Sequence, residues 1–371
     1  MTYITGWRNQ TSVFIAADSA ITYEQESLEN AKIWSDVSTF GETHIIGNDK
    51  VVQEQWLKIY NFNNKLILAF AGNVSEAYEA IKWLKMVLEV NEQPDLRGSF
   101  KYIYNTYRKI SIIAGFVENE QPVLISVNAN GTSGYKEHLV YEDAYSGTID
   151  AEFIKHTQEF YNEIRNSEQT DEQILISMCS VIQSYKYVKP TITNGVGGLI
   201  SGIRVDKFGV SWQKDIAYIP IQYNGAILNG TELSEIFGNA EIISVLIRDN
   251  LVFVNNPYTH WRFSRRPFGN YQPIRILESE SWKESRFTWA NNWSHSVNQL
   301  IDECTYDYYV FISKTLPIVI SVFSKEFLTK KQVFMYNQEK QAFMLNSELL
   351  LDFLLKILIP EDDEFTIKTF F

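Results

Sequence analysis

A chain of 371 residues with 45% apolar side chains can fill two packed cores. Its net charge of −12 argues against a general surface for nucleic acid or for anionic membranes, and no apolar run of about eighteen residues offers a membrane span. Cys179 and Cys304 stand far apart with no signal peptide before them, so the expectation is reduced thiols in a cytoplasmic protein, with no metal and no cofactor.

The first strand pattern follows Thr2, turns at Asn9-Gln10 and returns as an apolar run ending in Ala17-Asp18-Ser19, which reads as a hairpin. Thr2 lies directly behind Met1, and a small second residue lets the initiator be removed. The exposed Thr would carry a hydroxyl and an α-amine of pKa near ~8, a nucleophile and a base on one residue. Next comes a long acidic stretch, about 23–50, with Glu24, Glu26, Glu29, Asp36 and Glu42. It is expected either to border a substrate cleft or to form a surface loop or subunit contact.

Lys58 precedes a strand that runs into Ala71-Gly72. A helix follows over 73–88, where Val74, Ala77, Tyr78, Ile81, Leu84 and Leu88 recur at three and four and Asn73 or Ser75 can cap the start. A second helix is expected over 93–110, then strands over 111–117 and 122–128, helical sequence from Ser146 to about Arg165, and a helix opening at Thr170-Asp171-Glu172-Gln173 and stopping near Pro190. Strands over 199–205 and 210–212 complete this part.

The residues just named resemble the proteasome β-subunit family and its bacterial relatives, the HslV-type and ancestral β-subunit-type peptidases. In that family an N-terminal Thr opens the first strand, the second ends in Ala-Asp-Ser, and a Lys precedes a strand leading to Ala-Gly and a helix. Thr2, Asp18, Lys58 and Gly72 stand in that order here, with Lys58 fourteen residues before Gly72. Thr22 falls where the family has a Thr that contacts substrate backbone. Lys58 is 40 positions after Asp18, against about sixteen in the family, so roughly 24 residues are inserted. Lys32, inside the insertion, is a rival for the catalytic Lys, but no strand leading to Ala-Gly follows it. The family's Gly-Ser-Gly, whose Ser helps hold the N-terminal amine, is matched by Tyr145-Ser146-Gly147, and the Asp and Ser that support the same amine are replaced by Thr193 and Val196.

The resemblance covers residues 1–222 and implies an α+β, four-layer α-β-β-α N-terminal-nucleophile hydrolase domain. It implies a threonine-type endopeptidase acting on peptides or unfolded proteins, assembled as a homo-oligomer and served by an ATP-dependent unfoldase. Thr2 would be the nucleophile. Asp18, Lys58 and Ser146 would assist it, with Gly72 supplying an oxyanion-binding amide and Thr22 a substrate contact. The alternatives are a non-catalytic scaffold subunit and a small-molecule amidohydrolase of the same fold.

Residues 223–371 exceed what a plain β-subunit carries and read as an appended α+β domain of unassigned role, with gating of the active site the preferred expectation. Strand-like runs occur at 242–247, 251–254, 308–312, 318–323 and 333–336, with a terminal apolar helix over 347–358. His260 to Phe268 interleaves aromatics with arginines, followed by Trp282, Trp289 and Trp293; packing or a protein interface is favoured over nucleic acid. Glu361 to Glu364 reads as a solvated acidic face.

Overall fold

The computed structural model describes residues 2–24, 38, 40–46, 50–54, 57–91, 93–148, 150–187, 189, 191–221, 243–248, 251–255, 260–264, 275–277, 306–314, 318–331, 334–337, 342–345 and 365–371. Chain order begins with β1 (Tyr3–Arg8), β2 (Ser12–Ala17), β3 (Ala20–Glu24), β4 (Ile45–Ile46), β5 (Lys50–Glu54), β6 (Ile59–Phe62) and β7 (Leu66–Gly72). Helices α1 (Val74–Val90) and α2 (Leu96–Thr106) follow, then β8 (Ile110–Glu118), β9 (Gln121–Val127), β10 (Tyr135–His138) and β11 (Asp143–Gly147). Helices α3 (Ala151–Arg165) and α4 (Asp171–Ser184) lead to β12 (Ser201–Asp206) and β13 (Gly209–Trp212). The chain is thus mixed α and β, with several antiparallel sheets and, among the described residues, five helices.

Two five-stranded antiparallel sheets form in this part, in the orders β11-β1-β2-β12-β13 and β10-β9-β8-β7-β6. Both are apolar on both faces, which is why β2 and β7 read as nearly continuous hydrophobic runs rather than as alternations. On β2, Val13, Ile15 and Ala17 face the other sheet, where they share a core with Ile67, Ala69 and Ala71 of β7 and with Ile113 and Leu124. Phe14 and Ala16 point the other way, into a core with Leu175, Met178 and Ile182 of α4. On the outer side of the second sheet, Leu68 and Phe70 pack with Ala77, Ile81 and Leu84 of α1 and Phe100 and Ile103 of α2.

Helix starts carry local signatures. Asn73 caps α1 by accepting from the Glu76 amide at 2.9 Å, and Asp95 does the same for α2 at the Gly98 amide. Thr170 and Gln173 exchange bonds at the start of α4 in a capping box. Every residue from Ile174 to Ser184 is buried, because α4 lies between the first sheet and a third one.

That third sheet has eight strands: β14 (Ile216–Ile221), β15 (Ile243–Arg248), β16 (Leu251–Asn255), β17 (His260–Ser264), β18 (Arg275–Leu277), β19 (Tyr308–Ser313), β20 (Ile318–Ser324) and the last strand, Phe365–Phe370, in the order β18-β17-β16-β15-β14-β19-β20 and then Phe365–Phe370. Tyr218, Val245, Val310 and Ile320 share a core with Trp7, Phe14 and Leu175. The sequence boundary at 222 therefore falls after the first strand of this sheet, and α4 serves both sides of it. A short helix, α5 (Lys325–Lys331), and a hairpin of Phe334–Asn337 with Ala342–Leu345 follow β20. The terminal helix expected over 347–358, Arg265 to Phe268, Trp282, Trp289, Trp293, Cys304 and Glu361 to Glu364 lie outside the described residues. No helix among the described residues is long and apolar enough to cross a membrane.

Candidate functional site

The strand register collects the residues singled out above. Ile4 is opposite Ala17 on one side and Ser146 on the other, so β1 runs between Asp18 and Ser146 with Thr2 at its head. Directly paired residues share a face and alternate residues repeat it, which sets Ser146 on the face of Ile4 and diagonal to Thr2. Ile4, Ala17, Ile59, Ala71 and Ala144 all belong to the core between the two sheets. Each is one or two positions from a predicted site residue: Thr2, Asp18, Lys58, Gly72 and Ser146 respectively. Hydrophobic packing of neighbours thus converges five chain segments distant in sequence.

The peptide unit between Thr2 and Tyr3 is pinned from both sides. The Tyr3 amide donates to Asp18 Oδ1 at 2.9 Å, and the Thr2 carbonyl accepts from the Thr148 amide at 3.1 Å. Gly147 makes the second contact accessible: its φ is +125°, and a Cβ there would sit 1.6 Å from the Thr2 carbonyl oxygen. Thr2 itself is buried, with 6% of its surface exposed.

Lys58 extends from the segment before β6 and places its Nζ 2.6 Å from Asp18 Oδ1, the same oxygen that receives the Tyr3 amide. The ammonium also donates to the Ala20 carbonyl. Asp18 and Lys58 are each about 1% exposed. Burial pushes the Asp18 carboxyl above its ordinary range and the Lys58 ammonium below its own, and in each case the partner's charge opposes the shift. Asp18 Oδ2 accepts from the Gly197 amide at 3.1 Å, so both carboxylate oxygens are occupied. Lys32 lies outside the described residues.

Gly72 ends β7 at φ +96°, opposite Ile110, and a Cβ would meet the Lys109 carbonyl at 2.3 Å. The strand must turn there before Asn73 caps α1, which leaves the residue at the helix approach exposed. Thr22 lies on β3 opposite Val52, and its buried Oγ1 has no hydrogen-bond partner among the described residues. Of the positions where the sequence departs from the family pattern, Val196 packs into the core of α4, and Tyr145 packs partly against the same core while its amide donates to Asn130. Thr193 lies in a 3₁₀ turn and its carbonyl accepts from Lys50.

Two carboxylates enter this region: Glu42, from the acidic stretch expected either to border a cleft or to lie on the surface, and Glu54, on β5 just after it, which was not foreseen. Glu42 accepts from the Gly198 amide at 2.7 Å, and Glu54 from the Leu199 amide at 2.7 Å and from Ser19 Oγ at 2.8 Å. The described part of the insertion contributes β4, which with β5 just after it forms a small sheet with β3 in the order β3-β5-β4. Beside it, a small, partly open pocket is lined by Glu42, Thr148, Phe153, Tyr185, Lys186 and Gly197 among others, so its wall includes the residues that bond Thr2 and Asp18.

A second polar cluster was also not foreseen. Ser126 Oγ lies 2.7 Å from His138 Nε2, and His138 Nδ1 lies 3.7 Å from Glu142 Oε2, beyond hydrogen-bond reach. Ser126 and His138 are 4% and 1% exposed, and burial pushes the imidazole down to about 4. The sequence spacing of these residues follows no pattern, because the β9–β10 pairing alone brings them together.

Cys179 is buried and free, and burial raises its thiol far above the ordinary range, which removes it from nucleophilic chemistry. Among the described residues no group of His, Cys, Asp and Glu is arranged to hold a metal ion. No family model matches the sequence, and no curated protein matches it.

Proposed function

We propose that the protein is a proteasome-like threonine peptidase whose nucleophile is Thr2 after removal of Met1. The observation that carries this reading is the buried Asp18–Lys58 pair at 2.6 Å, sharing one carboxylate oxygen with the amide that follows Thr2. A buried ion pair contributes little net stability, so a cation held beside the first peptide unit fits a chemical role better than a structural one. The two facing sheets, with α1 and α2 outside one and α3 and α4 outside the other, support a four-layer α-β-β-α arrangement of the N-terminal-nucleophile type.

In the proposed reaction Thr2 Oγ attacks the carbonyl carbon of a peptide bond while the freed α-amine takes the hydroxyl proton, directly or through water. The Lys58 charge disfavours protonation of that amine and favours negative character on Oγ; Asp18 keeps Lys58 charged and aimed. The Gly72 amide would stabilise the tetrahedral oxyanion, an effect worth about 3 to 4 kcal/mol where it has been measured. The amine then returns the proton to the departing amino group, leaving an ester on Thr2 that water hydrolyses. Ser146, diagonal to Thr2 on the same face, would steady the amine. Thr22 would contact substrate backbone, as the resemblance implies, through its main chain, since its hydroxyl is buried. Substrates would be peptides or unfolded chains, and the assembly a homo-oligomer in the cytoplasm, supplied by an ATP-dependent unfoldase.

One observation favours a scaffold instead: Val196 packs into the core where the family places a polar support for the amine. Intact mass of the untagged protein, joined to turnover of a fluorogenic peptide panel by wild type and Thr2→Ala, decides between them. Loss of Met1 with turnover that disappears in Thr2→Ala supports the peptidase. Retention of Met1 with no turnover supports the scaffold, and turnover of small amides without peptide cleavage supports an amidohydrolase.

A further inference from the structure

Four consecutive amides after Val196 each donate to a different side chain. Gly197 donates to Asp18 Oδ2 at 3.1 Å, Gly198 to Glu42 Oε2 at 2.7 Å, Leu199 to Glu54 Oε1 at 2.7 Å and also to Ser19 Oγ at 2.8 Å, and Ile200 to Gln183 Oε1 at 2.8 Å. The same turn answers back, since the Gly197 carbonyl accepts from the amides of Ser19 and Ala20 at 3.3 and 3.1 Å. Three carboxylates therefore sit around one turn of backbone, and only Asp18 is in contact with Lys58.

Glu54 is 1% exposed and Glu42 is held by Ser38 Oγ at 3.0 Å and Thr191 Oγ1 at 3.4 Å as well as by Gly198. Removing a carboxylate from water is costly unless strong donors replace the water; here the amides of the turn do so together with the Ser38, Thr191 and Ser19 hydroxyls, and the Lys186 cation offsets the burial of Glu42. Each bond also fixes the direction of the peptide plane next to it. The planes at 198 and 199 are held by Glu42 and Glu54, and the plane before them presents the Gly197 amide to Asp18.

We propose that Glu42, in the inserted stretch, and Glu54, on β5 just after it, are positioning residues of the Thr2–Asp18–Lys58 site, acting through the Gly197 amide on the Asp18 carboxylate. The insertion is then part of the machinery that orients Lys58, and its removal cannot leave a working centre. The catalytic part of this inference rests on the peptidase reading; the orienting part does not.

The test uses the full chain and two readouts. Glu54→Ala and Glu42→Ala are each expected to lower kcat by about 10- to 100-fold, as loss of an outer-shell orienting group commonly does, with KM within about twofold of wild type. Glu54→Gln keeps an acceptor for Leu199 and is expected to restore kcat to within about fivefold. Independently of turnover, hydrogen exchange of the Gly197 amide is expected to quicken at least about tenfold in both Ala variants while amides in the core of β8 keep their protection. If Glu54→Ala does not fold, Glu42→Ala, at the more open carboxylate, carries the same two measurements. Unchanged kcat with unchanged Gly197 exchange overturns the proposal, and so does a fall in kcat that Glu54→Gln shares in full. A wild type that cleaves no peptide, with Gly197 exchange still quickened in the variants, removes the peptidase reading and leaves the orienting role standing.

Discussion

Two buried polar clusters occupy the same pair of sheets, one where β1 begins and the other where β9 meets β10. The second has the more familiar outline, with Ser126, His138 and Glu142 in line, yet its serine is sealed and its imidazole is held neutral by burial. The first is centred on a carboxylate and an ammonium, and its nearest described histidine, His44, accepts from the Glu54 amide at 3.2 Å. This cluster has a full ion pair, Asp18 with Lys58, whose carboxylate is tied to the peptide unit carrying a hydroxyl at the head of a strand. Distances between side chains therefore do not by themselves distinguish a reactive group from a structural one. What separates the two clusters is a close pair of opposed ionisable groups beside the Thr2–Tyr3 peptide unit in one and an imidazole whose charge burial disfavours in the other.

The largest contrast is expected from the hydroxyls. Thr2→Ala should reduce peptide turnover by at least about 10³-fold, as loss of a nucleophile typically does, while Ser126→Ala leaves turnover per folded molecule within about twofold. A large loss in Ser126→Ala with turnover kept in Thr2→Ala would make the β9–β10 cluster the reactive one. Next in size is the ion pair. Lys58→Ala leaves Asp18 buried without its cation and should lower stability by about 3 to 5 kcal/mol in denaturant titration, whereas Lys58→Met combined with Asp18→Asn should recover part of that loss.

The third concerns His138. Its folded pKa of about 4 lies below the unfolded value near ~6.5, so the unfolded chain takes up the proton first on acidification. Stability should be intact above pH ~6.5 and fall by up to about 3 kcal/mol as the pH drops toward ~4, a slope that His138→Gln should flatten in stepped-pH denaturation. The smallest effect expected is on the pH–rate profile. With Asp18 raised and Lys58 lowered by burial, the ion pair persists over a narrower window than ordinary side chains would give. The kcat/KM profile should fall on its acid side above the usual carboxylate range and on its alkaline side below the usual lysine range; a profile bounded at ordinary carboxylate and lysine values would detach the pair from the chemistry.

Much of the local structure was legible in the residues. The hairpin at Asn9-Gln10, the Asn73 cap, the Thr170 start and the strand into Ala71-Gly72 follow from apolar period, capping chemistry and turn residues, all of which act over a few positions. The second helix is shorter than expected, Leu96–Thr106 rather than 93–110, because Asp95 caps it late and the chain must extend by Ile110 to join β8. The pairing of Asp18 with Lys58 was implied by the family resemblance, and the two lie 2.6 Å apart.

Other features were illegible for a physical reason. Glu42 sits in an acidic stretch where carboxylates are usually solvated and Glu54 just after it, and only the approach of the 197–199 amides makes them partners of the site. Ser126 and His138 meet through strand pairing across twelve residues. The burial of α4 on every side depends on a sheet whose first strand begins more than thirty residues after the helix ends. By itself the sequence determined the first hairpin, the strand into Gly72, the helices at Asn73 and Thr170 and the strands over 111–128, because period, capping and turn chemistry are local, whereas strands such as Lys50–Glu54 and Asp143–Gly147 carried no such signal. Tertiary structure alone decided which charges lose their water, and which backbone amides replace it, because desolvation depends on what the rest of the chain brings alongside.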